Sequence, residues 1–230
     1  TFAVGEQKSS TLYARYTVTN TGKRRETGKL FLALRQFQVN PPWQFLNTPG
    51  GFTPVHGMNH AGDTVYVSDK DCQSNADALR IVSLTKADAF GATTLASGDV
   101  TEHLNYGLIP EAGGLCDLRG FGSGVLSYDY DLAPGQSKSV DIAVPYTPQS
   151  HLDDLDNALA QAVSDWQVLS QVGIDLPAYP ELVDTMRSQL AYILINRDER
   201  AIQPGSRCYR RTWIRDGALT SAALLQNGFA

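Results

Sequence analysis

Sixteen of the twenty glycines fall within residues 1–148 and only four within 149–230. Turns and bulges call for glycine, whereas its backbone entropy disfavours it inside helices. The asymmetry divides the chain into a turn-rich first part and a helix-permitting second part. In the first part, short β-branched and aromatic runs alternate with Gly, Pro and Asn clusters. Residues 11–19 alternate and stop at Asn20-Thr21-Gly22, and 30–39 end at Asn40-Pro41-Pro42. Further strands are expected over 64–68, 78–84, 124–132 and 137–144. Ala133-Pro134-Gly135-Gln136 puts Pro and Gly at adjacent turn positions, which predicts that the last two strands pair as an antiparallel hairpin. Many short strands without intervening helices predict an antiparallel β-sandwich over 1–148 rather than a parallel sheet.

The period changes after residue 148. Ser150, with Asp153 three positions on, is the candidate N-cap of a helix. Leu152, Leu155, Leu159, Val163, Trp166 and Leu169 recur at steps of three and four, the stripe of an amphipathic helix that ends before Gly173. This gives a linker helix within 149–176. In 177–230, a helix is expected from Pro180 to about 196 with Leu182, Met186, Leu190, Ile193 and Leu194 on its buried side. Another is expected from Asp216 to Gln226, stopped by Gly228. The loop joining them approaches twenty residues, and loops of that length tend to carry function. The pair must bury its apolar stripes against something, so the helical domain is expected to continue past Ala230. The chain opens on Thr1, with Met58 and Met186 its only methionines, which fits a processed or partial chain.

Composition removes several function classes. Nineteen Lys and Arg against 24 Asp and Glu leave a net charge of −5, with no basic footprint for nucleic acid or an anionic membrane. No stretch reaches the roughly 20 apolar residues of a membrane span. No phosphate loop or nucleophile elbow is found, and Gly120-Phe-Gly-Ser-Gly124 reads as a turn or bulge in strand territory. His56 and His60 have helical i, i+4 spacing, but Pro54, Gly57 and Gly62 oppose a helix there, so no metal site and no cofactor are expected. Cys72, Cys116 and Cys208 read as idle thiols; a Cys72–Cys116 bridge is the alternative, in an oxidising compartment. The compartment is left open, with a lean towards periplasm or secretion.

The informative segment is 204–219, which holds four arginines, two aromatics and one aspartate where a loop runs into a helix start. A sugar ring offers apolar C–H faces and hydroxyls that donate and accept. Trp213, Arg215 and Asp216 supply a flat aromatic, a planar fork of donors and a carboxylate acceptor. Asp216 is equally the residue of a helix N-cap, and the two roles can coexist.

Tyr209-Arg-Arg-Thr-Trp-Ile-Arg-Asp-Gly-Ala-Leu219 resembles the loop between the first two helices of the six-hairpin, or (α/α)6-barrel, glycosidases of the glucoamylase-like group. The resemblance implies that Trp213, Arg215 and Asp216 line the subsite for the non-reducing-end sugar, with Tyr209 and Arg210 beside them. Residues 31–42 resemble a strand of the large supersandwich that precedes such barrels. The implied fold is mainly β with C-terminal helices: sandwich, linker helix and first helical hairpin of an incomplete barrel. The implied activity is inverting hydrolysis of α-linked glucosides, or phosphorolysis in related barrels, and the partner is carbohydrate. Inverting enzymes use two carboxyl groups about 6.5–9.5 Å apart. Those are expected beyond residue 230, since Asp198 and Glu199 are consecutive in a charged run that reads as solvated loop. The alternative is a non-enzymatic carbohydrate-binding module acting through Tyr106, Trp43 or Tyr128.

Overall fold

The computed structural model describes residues 1–6, 9–38, 52–72, 77–171, 174, 176–198, 200–205, 209 and 211–229. Among the described residues it is mainly β, 36% strand against 28% helix, with antiparallel sheets and four α-helices. The strands are β1 (Phe2–Val4), β2 (Thr11–Thr19), β3 (Glu26–Arg35), β4 (Phe37–Gln38), β5 (Phe52–Thr53), β6 (Gly57–Ala61), β7 (Thr64–Ser68), β8 (Leu79–Ser83), β9 (Ala89–Thr93), β10 (Gly114–Cys116), β11 (Ser123–Leu132), β12 (Ser137–Pro145), β13 (Arg197–Asp198) and β14 (Ala201–Ile202). The helices are α1 (Val100–Asn105), α2 (Leu155–Trp166), α3 (Pro180–Ile195) and α4 (Ile214–Gln226). Two compact units are present: Thr1–Gln38 with Phe52–Leu159, and a second that includes Ala160–Ala230.

In the first unit, a seven-stranded sheet of order β1-β2-β12-β8-β7-β6-β10 faces a three-stranded sheet of order β3-β11-β9. Their shared core contains Met58, Val65, Val140 and Ile142 from the larger sheet and Ala92, Leu126 and Tyr128 from the smaller. The alternation along the strands produces this, because successive side chains point to opposite faces. Ile142 enters the core and Ala143, its neighbour, lies on the other face with Tyr13, Val82 and Leu155.

The expected hairpin of the last two long strands does not form. β11 pairs with β3 and β9, whereas β12 pairs with β2 and β8. The turn at 133–136 is real, with Gly135 at φ 77° and the Gln136 amide donating to Ala133 O at 3.0 Å. It carries the chain from one sheet to the other, so both strands turn an apolar face to the same core. The β2–β3 connection makes the same crossing, and Asn20 ties the two together. Its side-chain amide donates to Leu132 O (2.8 Å) and Arg24 O (2.7 Å), and its Oδ1 accepts from the Gly22 amide (2.9 Å).

Cys72 and Cys116 form a disulfide with Cα atoms 5.2 Å apart, so the idle-thiol reading is overturned for this pair; Cys208 lies outside the described residues. With the cysteines 44 positions apart in sequence, closing that loop removes unfolded-state entropy worth about 4 kcal/mol. His56 and His60 are not on a helix: His60 is in β6 and stacks on Phe90 at 4.8 Å, and His56 Nδ1 is 2.9 Å from Asp117 O.

Ser150 is not the cap of α2. Its hydroxyl accepts from the Thr147 amide, and Asp154 Oδ1 takes the amides of Asp156 (3.1 Å) and Asn157 (3.0 Å) in the helix's first turn. The buried side of α2 also differs from the apolar stripe. Leu155, Ala158 and Ala162 are buried, while Leu159, Val163 and Trp166 are exposed. Leu155 and Ala158 pack with Tyr13, Val82 and Ala143 on the outer face of the larger sheet, where a small side chain permits close approach. Arg15 anchors the same helix, pairing with Asp141 (2.8 Å) and Asp156 (3.0 Å). The hydrogen bond to Asp141, then that to Asp156, holds its guanidinium above the ordinary arginine range.

In the second unit, Leu190 and Leu224 are the buried centre, with Met186, Ile193, Leu194 and Phe229 around them. Val183 is buried and Leu182 is 59% exposed, the reverse of the expectation for Leu182. Gly228, at φ 86°, ends α4 as expected, with the Phe229 amide donating back to Leu224 O at 3.0 Å. The long connection between α3 and α4 contains the unforeseen pair β13 and β14.

Candidate functional site

Of the residues expected to bind sugar, Trp213, Arg215 and Asp216 lie at the start of α4, and Tyr209 is in ring contact with Trp213. Trp213 is its N-cap, extended at φ −104° and ψ 128°, and its carbonyl accepts from the Gly217 amide at 2.8 Å. Among the described residues no side-chain hydrogen bond caps this terminus. Asp216 is therefore not the cap; it sits at the third helical position, where the helix dipole favours a negative charge. Its capping role is absent and its carboxylate is correspondingly uncommitted, facing only Arg215 at 3.7 Å among the described residues. Arg215 is 85% exposed, so that contact is long and solvent-screened.

The aromatic part is more tightly built. The Tyr209 and Trp213 rings are 6.3 Å apart and tilted by 43°. Arg211 Cζ is 5.4 Å from the Trp213 ring centroid, a cation–π distance. Trp213 Nε1 is buried with no hydrogen-bond partner among the described residues. Leaving a buried donor unpaired costs about 1–3 kcal/mol. Arg210 lies outside the described residues. Sequence reasoning passed over its neighbour Arg211, whose position two residues before Trp213 was the available signal.

Among its described residues the segment Tyr209–Asp216 has two aromatic rings, two guanidinium groups, a buried indole N–H without a partner and a partly exposed carboxylate. It can stack a flat apolar face and exchange hydrogen bonds with hydroxyls. Asp216 is the one carboxylate in the sequence 209–216, so that segment by itself supplies no acid/base pair. Asp198 is exposed in β13, and Glu199 lies outside the described residues. Of the aromatics of the alternative reading, Tyr128 is a core residue, fully buried with its hydroxyl 2.5 Å from Ser83 Oγ. Burial raises its phenol pKa, the Ser83 hydrogen bond opposing. Tyr106 is 81% exposed, and Trp43 lies outside the described residues.

Among the described residues no group of His, Cys, Asp and Glu is arranged to hold a metal ion, and no helix is long and apolar enough to cross a membrane. Neither a protein-family model nor a curated protein matches the chain.

Proposed function

We infer that this chain is the N-terminal part of a glucoamylase-like six-hairpin glycoside hydrolase. In this reading 1–148 is its β-sandwich, 149–176 its linker helix and 177–230 its first helical hairpin. The first turn of α4 then lines the subsite for an α-linked glucoside, and the catalytic acid and base lie outside residues 1–230. The observation that carries the reading is the gathering of Tyr209, Trp213, Arg215 and Asp216 at one helix start, with Asp216 free of a capping duty. The exposed apolar residues of the helices support it. Tyr192 and Ile195 on α3, with Ile214, Leu219 and Leu225 on α4, are surface that further barrel hairpins would cover. Phosphorolysis would use the same subsite.

The test is a maltose titration followed by tryptophan fluorescence. Asp216→Ala and Arg215→Ala are each expected to weaken binding about tenfold, the loss of one charge-assisted hydrogen bond. Isotherms identical to that of the unsubstituted chain would remove the clamp. No turnover of maltose is expected from residues 1–230. Exposed Tyr106 favours the second reading, a non-enzymatic carbohydrate-binding module, which predicts that Tyr106→Ala abolishes the maltose response instead.

A further inference from the structure

We propose that a cleft beside β8, built wholly from the first compact unit, binds a single neutral sugar ring. The cleft has a volume of about 230 Å³ and is lined by Asp69, Asp77, Arg80, Tyr146 and Pro148, with Pro54 among the other walls. Drug-sized ligands occupy pockets of about 300–1,000 Å³, so this one suits a smaller molecule.

Its walls are held in place before any ligand arrives. β12 ends at Pro145, and the Tyr146 amide donates to Ser10 O at 2.9 Å. The turn that follows closes on itself, the Thr147 amide donating to Ser150 Oγ (3.0 Å) and the Ser150 amide to Thr147 O (3.1 Å). Arg80 reaches this turn from β8 and gives one nitrogen, Nη2, to both Thr147 O (3.2 Å) and Pro148 O (3.1 Å). Its Nε and Nη1 have no partner among the described residues. The guanidinium is thus positioned with donors to spare, which lowers the ordering cost of binding.

The remaining groups define the ligand. Asp69 makes no side-chain hydrogen bond or ion pair among the described residues, and Asp77 has only Lys70 at 3.4 Å. Lys70 is not a wall of the cleft but pairs with Asp77, which leaves Asp69 to set against Arg80, so a phosphate meets Asp69 and an ammonium meets Arg80. A neutral polyol avoids both penalties. Its hydroxyls can donate to the carboxylates and accept from Arg80, and its C–H face can rest on Tyr146, which is 63% exposed. The site does not depend on the α4 clamp.

The experiment is a titration of the intact chain with D-glucose, D-galactose and maltose, read by amide chemical shifts, with sorbitol as the open-chain control. Saturable shifts at Leu79, Arg80 and Tyr146 are expected for at least one ring sugar and not for sorbitol. Tyr146→Ala and Arg80→Gln should each weaken that binding at least tenfold, and Asp216→Ala should leave it unchanged. If Arg80→Gln unfolds, Tyr146→Ala decides the matter. Absence of saturable shifts at these amides for all three sugars overturns the proposal. So does equal binding by Tyr146→Ala, or tighter binding of glucosamine or glucuronate than of the neutral sugars. Shifts confined to α4 and lost in Asp216→Ala would uphold the clamp while rejecting this cleft.

Discussion

Asn20 shows how one polar side chain can organise a β fold. It is 6% exposed and satisfies two backbone carbonyls and one amide in the adjoining crossover turns. Asn20→Leu would leave those groups unpaired, and we predict a loss of about 3 kcal/mol in a urea titration. Asp99 is the second such residue. Burial pushes its carboxyl up, but hydrogen bonds from the Thr101 hydroxyl and amide and the nearby Arg35 guanidinium outweigh it, holding the group below its ordinary value of 3.8. A carboxylate depressed in the folded state stabilises above its unfolded pKa, and that contribution disappears as pH falls through the folded value. The unsubstituted chain should therefore lose stability below about pH 4, and Asp99→Asn should lose less between pH 7 and pH 2.5. Asn still caps α1, so the difference between the two acid limbs isolates the charge. Neither role is written in the local sequence: Asn20 reads as a turn residue, and nothing near Asp99 announces Arg35.

At the level of elements, several strand limits were legible, though the strand expected over 30–39 lies at Glu26–Arg35, and strand partners were not. The expected strand 64–68 matches β7, and 11–19 matches β2. Alternation reports that one face is buried, not which strand lies beside it, so a turn suited to a hairpin could serve as a crossover. α2 teaches the same lesson. Its larger apolar residues form the conspicuous stripe, yet the face against the sheet is the one bearing Leu155 and Ala158. Overpacking this contact with Ala158→Leu should destabilise by about 1–3 kcal/mol. Leu159→Ala, on the exposed side, should change stability by less than about 0.5 kcal/mol. Thermal melts of the two variants compare them directly, and equal effects would reverse the assignment of faces.

Across the whole molecule, the two compact units differ in how much apolar surface each withdraws from water. The first contains fully buried Val65, Leu126, Tyr128 and Val140, whereas the buried centre of the second is Leu190 and Leu224. Local opening follows the density of buried apolar packing. Amides of α3 and α4 are therefore expected to exchange with solvent about a hundredfold or more faster than those of β11 and β12, as hydrogen exchange would measure. The sequence by itself determined that the three long helices follow residue 148, although not the short α1 among the strands. It also determined that one short segment concentrates aromatics, arginines and an aspartate, because those properties are local. Tertiary structure alone decided that β11 and β12 belong to different sheets, that Cys72 meets Cys116 and that Asp216 is not a cap. It alone placed Arg80 against the turn after β12. Each of these depends on which distant groups arrive at the same place, and pairing across a core is set by the summed burial of the chain rather than by any one stretch of it.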